Sequence, residues 1–164
     1  MLILEDVKKL YSNNRGLRST SIQFREGEIT GILGRNGSGK TTLLKAILNL
    51  LPLDEGWITL HNKPVEEQFE QIAFITEDGS FFPYMSAKEY GEFLTLYYPS
   101  FSKKRYFELL DRFEVSIFDT IKSLSKGQQL KVEISAGFAM NAKLIILDEP
   151  FTTLDIYAKE DTVR

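Results

Sequence analysis

Gly34-Arg35-Asn36-Gly37-Ser38-Gly39-Lys40-Thr41 sets three glycines, a lysine and a hydroxyl at the spacing G-x-x-x-x-G-K-[ST] without a mismatch. Each fixed position answers a chemical need. Glycines reach backbone conformations closed to other residues, so successive N–H groups can turn inward on phosphate oxygens. A helix starting here adds its unpaired N–H groups and the positive end of its dipole. Lys40 supplies a full positive charge to the β and γ phosphates, and the Thr41 hydroxyl is a ligand for Mg²⁺. Arg35, Asn36, Ser38 and Thr42 complete the stretch in contact with nucleotide. A chance match is expected in on the order of one per cent of chains this size. The stretch therefore reads as a cradle for a nucleoside triphosphate, with ATP and Mg²⁺ as the expected ligands.

A second set of groups lies near the other end of the chain. Leu144-Ile145-Ile146-Leu147 is an apolar run that delivers Asp148 and Glu149 to the carboxyl end of a strand, the end at which open α/β sheets bind ligands. Asp148 is suited to the Mg²⁺ coordination sphere, since Mg²⁺ favours oxygen ligands and keeps several waters. Glu149 is then placed to take a proton from the attacking water and to orient it. Two acids after a strand are only moderately specific alone; together with the glycine loop they read as catalytic.

The elements that must position these groups follow from pattern. Leu2 to Leu10 and Leu17 to Phe24 partly alternate, with Asn13, Asn14 and Gly16 as the turn between them. Gly27 ends that hairpin region. Ile29 to Leu33 is a short apolar run of the kind that forms a buried strand. Thr41 to Leu51 carries Leu43, Leu44, Ile47, Leu48 and Leu51 at helical spacing, with Pro52 as the stop. Gly56 to Leu60 and Ile72 to Thr76 read as further strands. Ser86 and Ser102 are N-caps for helices over Ala87–Tyr98 and Lys103–Phe113, and a third helix runs from about Ser125 to Met140. Strand, glycine loop, helix and a later buried strand closing in two acids is α/β logic. The helical stretch between Gly79 and Ser123 reads as an insertion to one side.

Composition excludes several classes. The chain has no cysteine, so disulfides, thiolate catalysis and Cys-bound zinc are out. A net charge of −3 argues against nucleic acid as the main partner. The run Lys103-Lys104-Arg105 reads as a solvated helix start. No segment is apolar for long enough to span a membrane, and the N-terminus acquires charge too soon for a signal peptide. The expected location is the cytoplasm.

These residues resemble the ATP-binding subunit of ABC transporters, and the resemblance spans essentially the whole chain. Leu124-Ser125-Lys126-Gly127-Gln128 is similar to that family's LSGGQ signature, with Lys126 in place of its first glycine. Pro150-Phe151-Thr152-Thr153-Leu154-Asp155 resembles the D-loop, with Asp155 at its aspartate. The resemblance implies a P-loop NTPase (RecA-like) core with an N-terminal antiparallel β subdomain and a short helical insertion. In these terms residues 1–78 hold the β subdomain and first part of the core, 79–123 the insertion, and 124–164 the signature helix, acidic strand and D-loop. Tyr11 takes the place of the aromatic residue that stacks on adenine. Glu77 takes the Q-loop position that is usually glutamine, retaining an oxygen for Mg²⁺ or water while adding negative charge beside the phosphates.

The resemblance also implies partners. Ser125, Gly127 and Gln128, with Asp155, would contact ATP held by a second nucleotide-binding subunit, in a homo- or heterodimer that closes head to tail around two nucleotides. The apolar stretch Phe81-Phe82-Pro83-Tyr84-Met85 would receive a transmembrane permease subunit and so hold the protein on the inner face of the cell membrane. Tyr97-Tyr98-Pro99-Ser100-Phe101 and the short insertion look most like the bacterial exporters of drugs, antibiotics or ions. Hydrolysis of ATP to drive transport is the implied activity. A soluble ABC protein acting on ribosomes or DNA, and a nucleotide-binding module without turnover, are the alternatives. One departure bears on turnover. The family continues beyond the D-loop through a strand ending in a histidine that contacts the γ phosphate, whereas this sequence ends at Arg164 and its one histidine, His61, sits in an early turn. The expectation is a truncated or naturally short chain whose central sheet has an uncovered edge.

Overall fold

The structure, a computed structural model, describes residues 1–12, 15–76 and 82–148. They fall into two compact units, the first Met1–Phe69 and the second beginning at Glu70.

In the first unit β1 (Leu2–Leu10) pairs antiparallel with β2 (Gly16–Phe24) on one side and β3 (Glu55–Leu60) on the other. A two-residue β4 (Lys63–Pro64) completes the order β2-β1-β3-β4. Strict alternation along β1 would turn Asp6 inward after Leu2 and Leu4. A bulge prevents this: the register shifts between Leu4 and Val7, Asp6 takes φ 48°, and Val7 is the buried residue instead. Ser21 fills the gap in the ladder, its hydroxyl oxygen accepting the Asp6 N–H at 2.9 Å. Leu2, Leu4, Leu17, Ile58 and Leu60 are buried in the same unit, as are Leu43, Ala46 and Ile47 of α1 (Lys40–Ile47).

Two expectations need correction here. Helix α1 ends at Ile47, well short of Pro52. Asn49 adopts φ 50°, its N–H donates to Ala46 O at 3.0 Å, and the Leu50 N–H donates to Lys45 O at 2.8 Å. That is a left-handed C-terminal closure, with asparagine in the place glycine usually takes. The second correction concerns Ile29–Leu33, which is not a buried strand. It pairs with no strand among the described residues, and Ile29 and Leu33 are fully exposed. An apolar run records a tendency to be buried; its backbone groups become a strand only beside partners contributed by distant sequence.

In the second unit β5 (Ile72–Thr76) and β6 (Leu144–Asp148) lie parallel, with Ile72 opposite Leu144 and Thr76 opposite Asp148. Between them in sequence come α2 (Ala87–Tyr97), α3 (Lys103–Arg112) and α4 (Lys126–Ala139). All three begin at serine caps. Ser86 with Glu89, and Ser125 with Gln128, form reciprocal capping boxes, and Ser102 accepts the Arg105 N–H. Helix α4 lies directly on β5, because a Cβ at Gly137 would stand 2.6 Å from Ile75 Cδ1. The core joins Ile75 to Leu94, Tyr106, Leu110, Ile121 and Ile134, so the inserted helices share one apolar cluster with α4. Tyr106 is fully buried, its hydroxyl donating to Ala87 O at 2.9 Å, and burial pushes its pKa well above the ordinary tyrosine range. The Lys103–Arg105 run is a solvated helix start as expected, with Lys103 paired to Glu92 and Lys104 to Glu108. No helix among the described residues is long and apolar enough to cross a membrane.

Candidate nucleotide site

The glycine loop belongs to the first unit and runs into the first turn of α1. Gly37 and Gly39 have φ 78° and 98°, and Gly39 is the N-cap of the helix. A left-handed residue at that point turns the chain so that the next N–H groups, which an α-helix cannot satisfy internally, open at the helix start. Lys40, Thr41 and Thr42 occupy the first helical positions, with Thr41 exposed. The loop is tied to itself. The Ser38 N–H donates to Arg35 O at 3.1 Å, and the Lys40 ammonium bends back to donate to Gly34 O at 2.8 Å and Arg35 O at 3.3 Å. A Cβ on Gly34 would come within 2.6 Å of Ser38 Oγ, so glycine there lets the two arms of the loop close.

Spacing marks Gly16 only as a turn residue, yet it has a second role. A Cβ on Gly39 would stand 2.8 Å from Gly16 O, so the loop's last glycine sits directly on the start of β2. The Gly39→Ala variant is therefore expected to meet both a clash with backbone and a φ of 98° that alanine tolerates poorly. The expected cost is about 1–3 kcal/mol of stability, with ATP affinity lost as the helix start is displaced. Thermal melting and calorimetry check this, and a wild-type melting temperature with intact binding would count against the contact.

Tyr11 follows β1 on the same hairpin and is about half exposed. Its N–H donates to Arg15 O at 2.8 Å, closing the turn. The end of β1 is pinned by Asp54, whose carboxylate accepts the Leu10 N–H at 2.7 Å and the Lys9 ammonium at 2.8 Å. Those bonds, the Leu10 N–H first, hold the Asp54 pKa below its ordinary value.

The second unit carries the other expected groups. Asp148 is the last residue of β6 and lies opposite Thr76 at the end of β5, so both parallel strands finish at one level. Ser125 Oγ accepts the Gln128 N–H at 3.2 Å, and Gln128 Oε1 accepts the Ser125 N–H at 3.1 Å. Gly127 is half-buried within that first turn. Gln128's side-chain oxygen is thus committed to the helix start, while the Ser125 hydroxyl keeps its proton to donate. Gln129 adds two bonds, to Ile121 O and Leu124 O, both at 3.0 Å. Phe82 and Tyr84 are exposed, and Phe82 meets Phe93 edge to face at 5.1 Å, which in turn meets Tyr97 at 4.6 Å. The Lys122 ammonium stands 5.4 Å from the Tyr84 ring. Glu77, Phe81, Glu149 and Asp155 lie outside the described residues.

Comparison with known proteins identifies the family and the fold. The ABC transporter family pattern matches residues 17–152. The chain is 32% identical to the uncharacterized ABC transporter ATP-binding protein YdbJ of Bacillus subtilis over 98% of its length, covering 54% of that protein. It is 30% identical to the peptide export ATP-binding protein SkfE of Bacillus subtilis, covering 98% of this chain and 70% of that one. It is also 30% identical to a probable sulfate/thiosulfate import ATP-binding protein, CysA of Chlorella vulgaris, covering 94% and 69%. Export and import systems are thus equally similar. The fold is similar to that of a dimeric ATP-binding cassette in a post-hydrolysis state bound to ADP and Pi, with TM-score 0.84, 26% identity, and coverage of 99% of this chain and 79% of that one. The chain spans about half the length of the first curated relatives it matches. With its family pattern, relatives and fold in agreement, the chain belongs to the ABC transporter family and has the P-loop fold of that family's ATP-binding domains.

Proposed function

We propose that this chain is part of the ATPase subunit of a membrane transporter, binding Mg-ATP at Gly34–Thr42 and hydrolysing it. The observation that carries this reading is the Gly34–Thr41 loop, which ends on a left-handed Gly39 at the start of α1 with Lys40 arched over its rim. A triphosphate seated there meets open N–H groups, a helix dipole and an ammonium together. Mg²⁺, when bound, neutralises phosphate charge. The Thr41 hydroxyl and the Asp148 carboxylate are hard oxygen donors of the type it takes, with Glu77 as a further candidate. Glu149 receives the proton of the attacking water, and Tyr11 stacks on the adenine.

The cycle runs through a dimer. Ser125, Gly127, Gln128 and Asp155 of one subunit contact the ATP on a second, whether an identical or a related one. The locked capping box at Ser125 supports this, since it leaves a hydroxyl donor and helix N–H groups facing outward in a fixed arrangement. Loss of the γ phosphate on hydrolysis removes what both halves hold, and the dimer opens. The aromatic patch around Phe81–Met85 transmits that motion to a transmembrane permease, so the protein works in the cytoplasm on the inner face of the membrane and needs no nucleic acid. Export is the proposed direction, resting on the Tyr97–Phe101 stretch. In this reading residues 1–78 hold the β subdomain and first part of the core, 79–123 the helical insertion, and 124–164 the signature helix, acidic strand and D-loop. Affinity purification under mild detergent is expected to bring down a membrane protein and to yield phosphate release that the membrane protein stimulates. Recovery with ribosomes or DNA in its place would overturn the transporter reading.

A further inference from the structure

We infer that Gln129 is a positioning residue for the Ser125 hydroxyl, holding it in the orientation in which it meets phosphate. The role rests on the proposed half-site at Ser125–Gln128 for a second subunit's ATP, and it extends that half-site to a residue just beyond the signature. Two side chains hold a single peptide group. The Leu124–Ser125 peptide presents Leu124 O on one edge and the Ser125 N–H on the other. Gln128 Oε1 accepts that N–H at 3.1 Å, while Gln129 Nε2 donates to the carbonyl at 3.0 Å. Two consecutive glutamines thus fix both edges of the peptide that leads into α4. Because a peptide group is planar and rigid, holding both edges leaves Ser125 little freedom to turn.

Gln129 is suited to this by its place and its chemistry. It stands in the first turn and a half of α4, and helical side chains lean toward the N-terminus, so its carboxamide lies back over the turn that precedes the helix. Its NH2 group has two hydrogens, and two carbonyls take them: Leu124 O and, also at 3.0 Å, Ile121 O. The second bond makes the first effective. Ile121 is fully buried, its N–H donates to Met85 O at 2.9 Å, and the Lys122 N–H donates to Pro83 O at 2.9 Å. Gln129 therefore ties the start of α4 to a turn that is itself anchored in the core. Burial of Leu124 fixes its side chain but not the tilt of the peptide that follows it. Ser125 is exposed, so hydrogen bonds rather than packing set its orientation. The capping box alone does not suffice, because Gln128 binds the helix start only to itself, whereas Gln129 sets where that start points.

The test compares the wild type with Gln129→Ala, Gln129→Glu and Gln129→Lys. Alanine and ionised glutamate offer the two carbonyls no donor, whereas a lysine ammonium reaches them with two of its three hydrogens. Phosphate release at saturating Mg-ATP is expected to fall by roughly 10- to 100-fold in the first two, the scale of a slight misplacement of a contacting group. Lysine is expected to restore most of it. The affinity of dilute protein for Mg-ATP, measured by calorimetry, is expected to stay unchanged in all three, because the Gly34–Thr42 loop binds nucleotide without Gln129. Hydrogen exchange is expected to quicken at the Ser125 amide of Gln129→Ala by roughly 2- to 10-fold, and not at Ile134 in the middle of α4. Wild-type phosphate release in Gln129→Ala, an equal loss in Gln129→Lys, an ATP affinity that falls in step with turnover, or unchanged exchange at Ser125 would each overturn the role. If the wild type binds ATP but neither pairs nor releases phosphate, the partner half-site fails and the role of Gln129 in turnover falls with it. The exchange response at Ser125 tells that outcome apart from an error in the geometry around Gln129.

Discussion

The Lys40→Ala variant is expected to bind Mg-ATP about 10- to 100-fold more weakly than the wild type, since a charge-assisted hydrogen bond contributes roughly 1.5–3 kcal/mol. The ammonium already lies at the loop, donating to Gly34 O and Arg35 O. It has only to turn from those neutral carbonyls to phosphate oxygens, so the bound state gains an ionic contact at little cost in ordering. Lys40→Arg is not expected to restore binding, because the planar fork is wider than the ammonium it replaces and the loop closes tightly at Gly34. Calorimetry at one fixed ionic strength measures the loss. Melting without nucleotide separates it from any loosening of the loop caused by the two lost carbonyl contacts. Unchanged ATP affinity in Lys40→Ala would remove the role assigned to this residue.

Local chemistry was readable in the sequence, and long-range contacts were not. Helices α2, α3 and α4 begin at the residues their serine caps mark and end within a residue or so of expectation, because a cap and an apolar stripe are written in consecutive residues. The phosphate loop is legible for the same reason. Ile29–Leu33 shows the opposite case: its apolar character is local, but pairing needs strands from elsewhere. The bulge at Asp6 also depends on neighbours, since β1 must shift against β2 and β3 together. The end of α1 was misplaced because Pro52 is a conspicuous stop, whereas the left-handed closure at Asn49 uses a residue common in many contexts. β4 was not anticipated at all. It is two residues long and follows a turn with His61 and Asn62 both at positive φ, leaving no run in which alternation could show. The meeting of Gly16 with Gly39 escaped for the most general reason: two glycines far apart in sequence carry no pattern that pairs them.

Glu149→Gln is expected to lower steady-state phosphate release by about 10²- to 10⁴-fold, the usual contribution of a positioned general base, while leaving ATP affinity nearly intact. Glutamine keeps the size of the side chain and a carbonyl oxygen but cannot accept the water's proton. The consequence reaches beyond rate. If Ser125, Gly127 and Gln128 complete the site on a second subunit, a protein that binds ATP and cannot cleave it accumulates in the closed form. Size-exclusion chromatography of Glu149→Gln in Mg-ATP should then show a dimer that ADP returns to monomer. Asp148→Asn provides the contrast. Its side chain ends β6 opposite Thr76, and its proposed task is to hold Mg²⁺, so its defect should show as weaker dependence of binding on Mg²⁺. Only monomer in Glu149→Gln with Mg-ATP, together with undiminished phosphate release, would remove Glu149 as the base and Ser125–Gln128 as the partner-facing half in a single experiment.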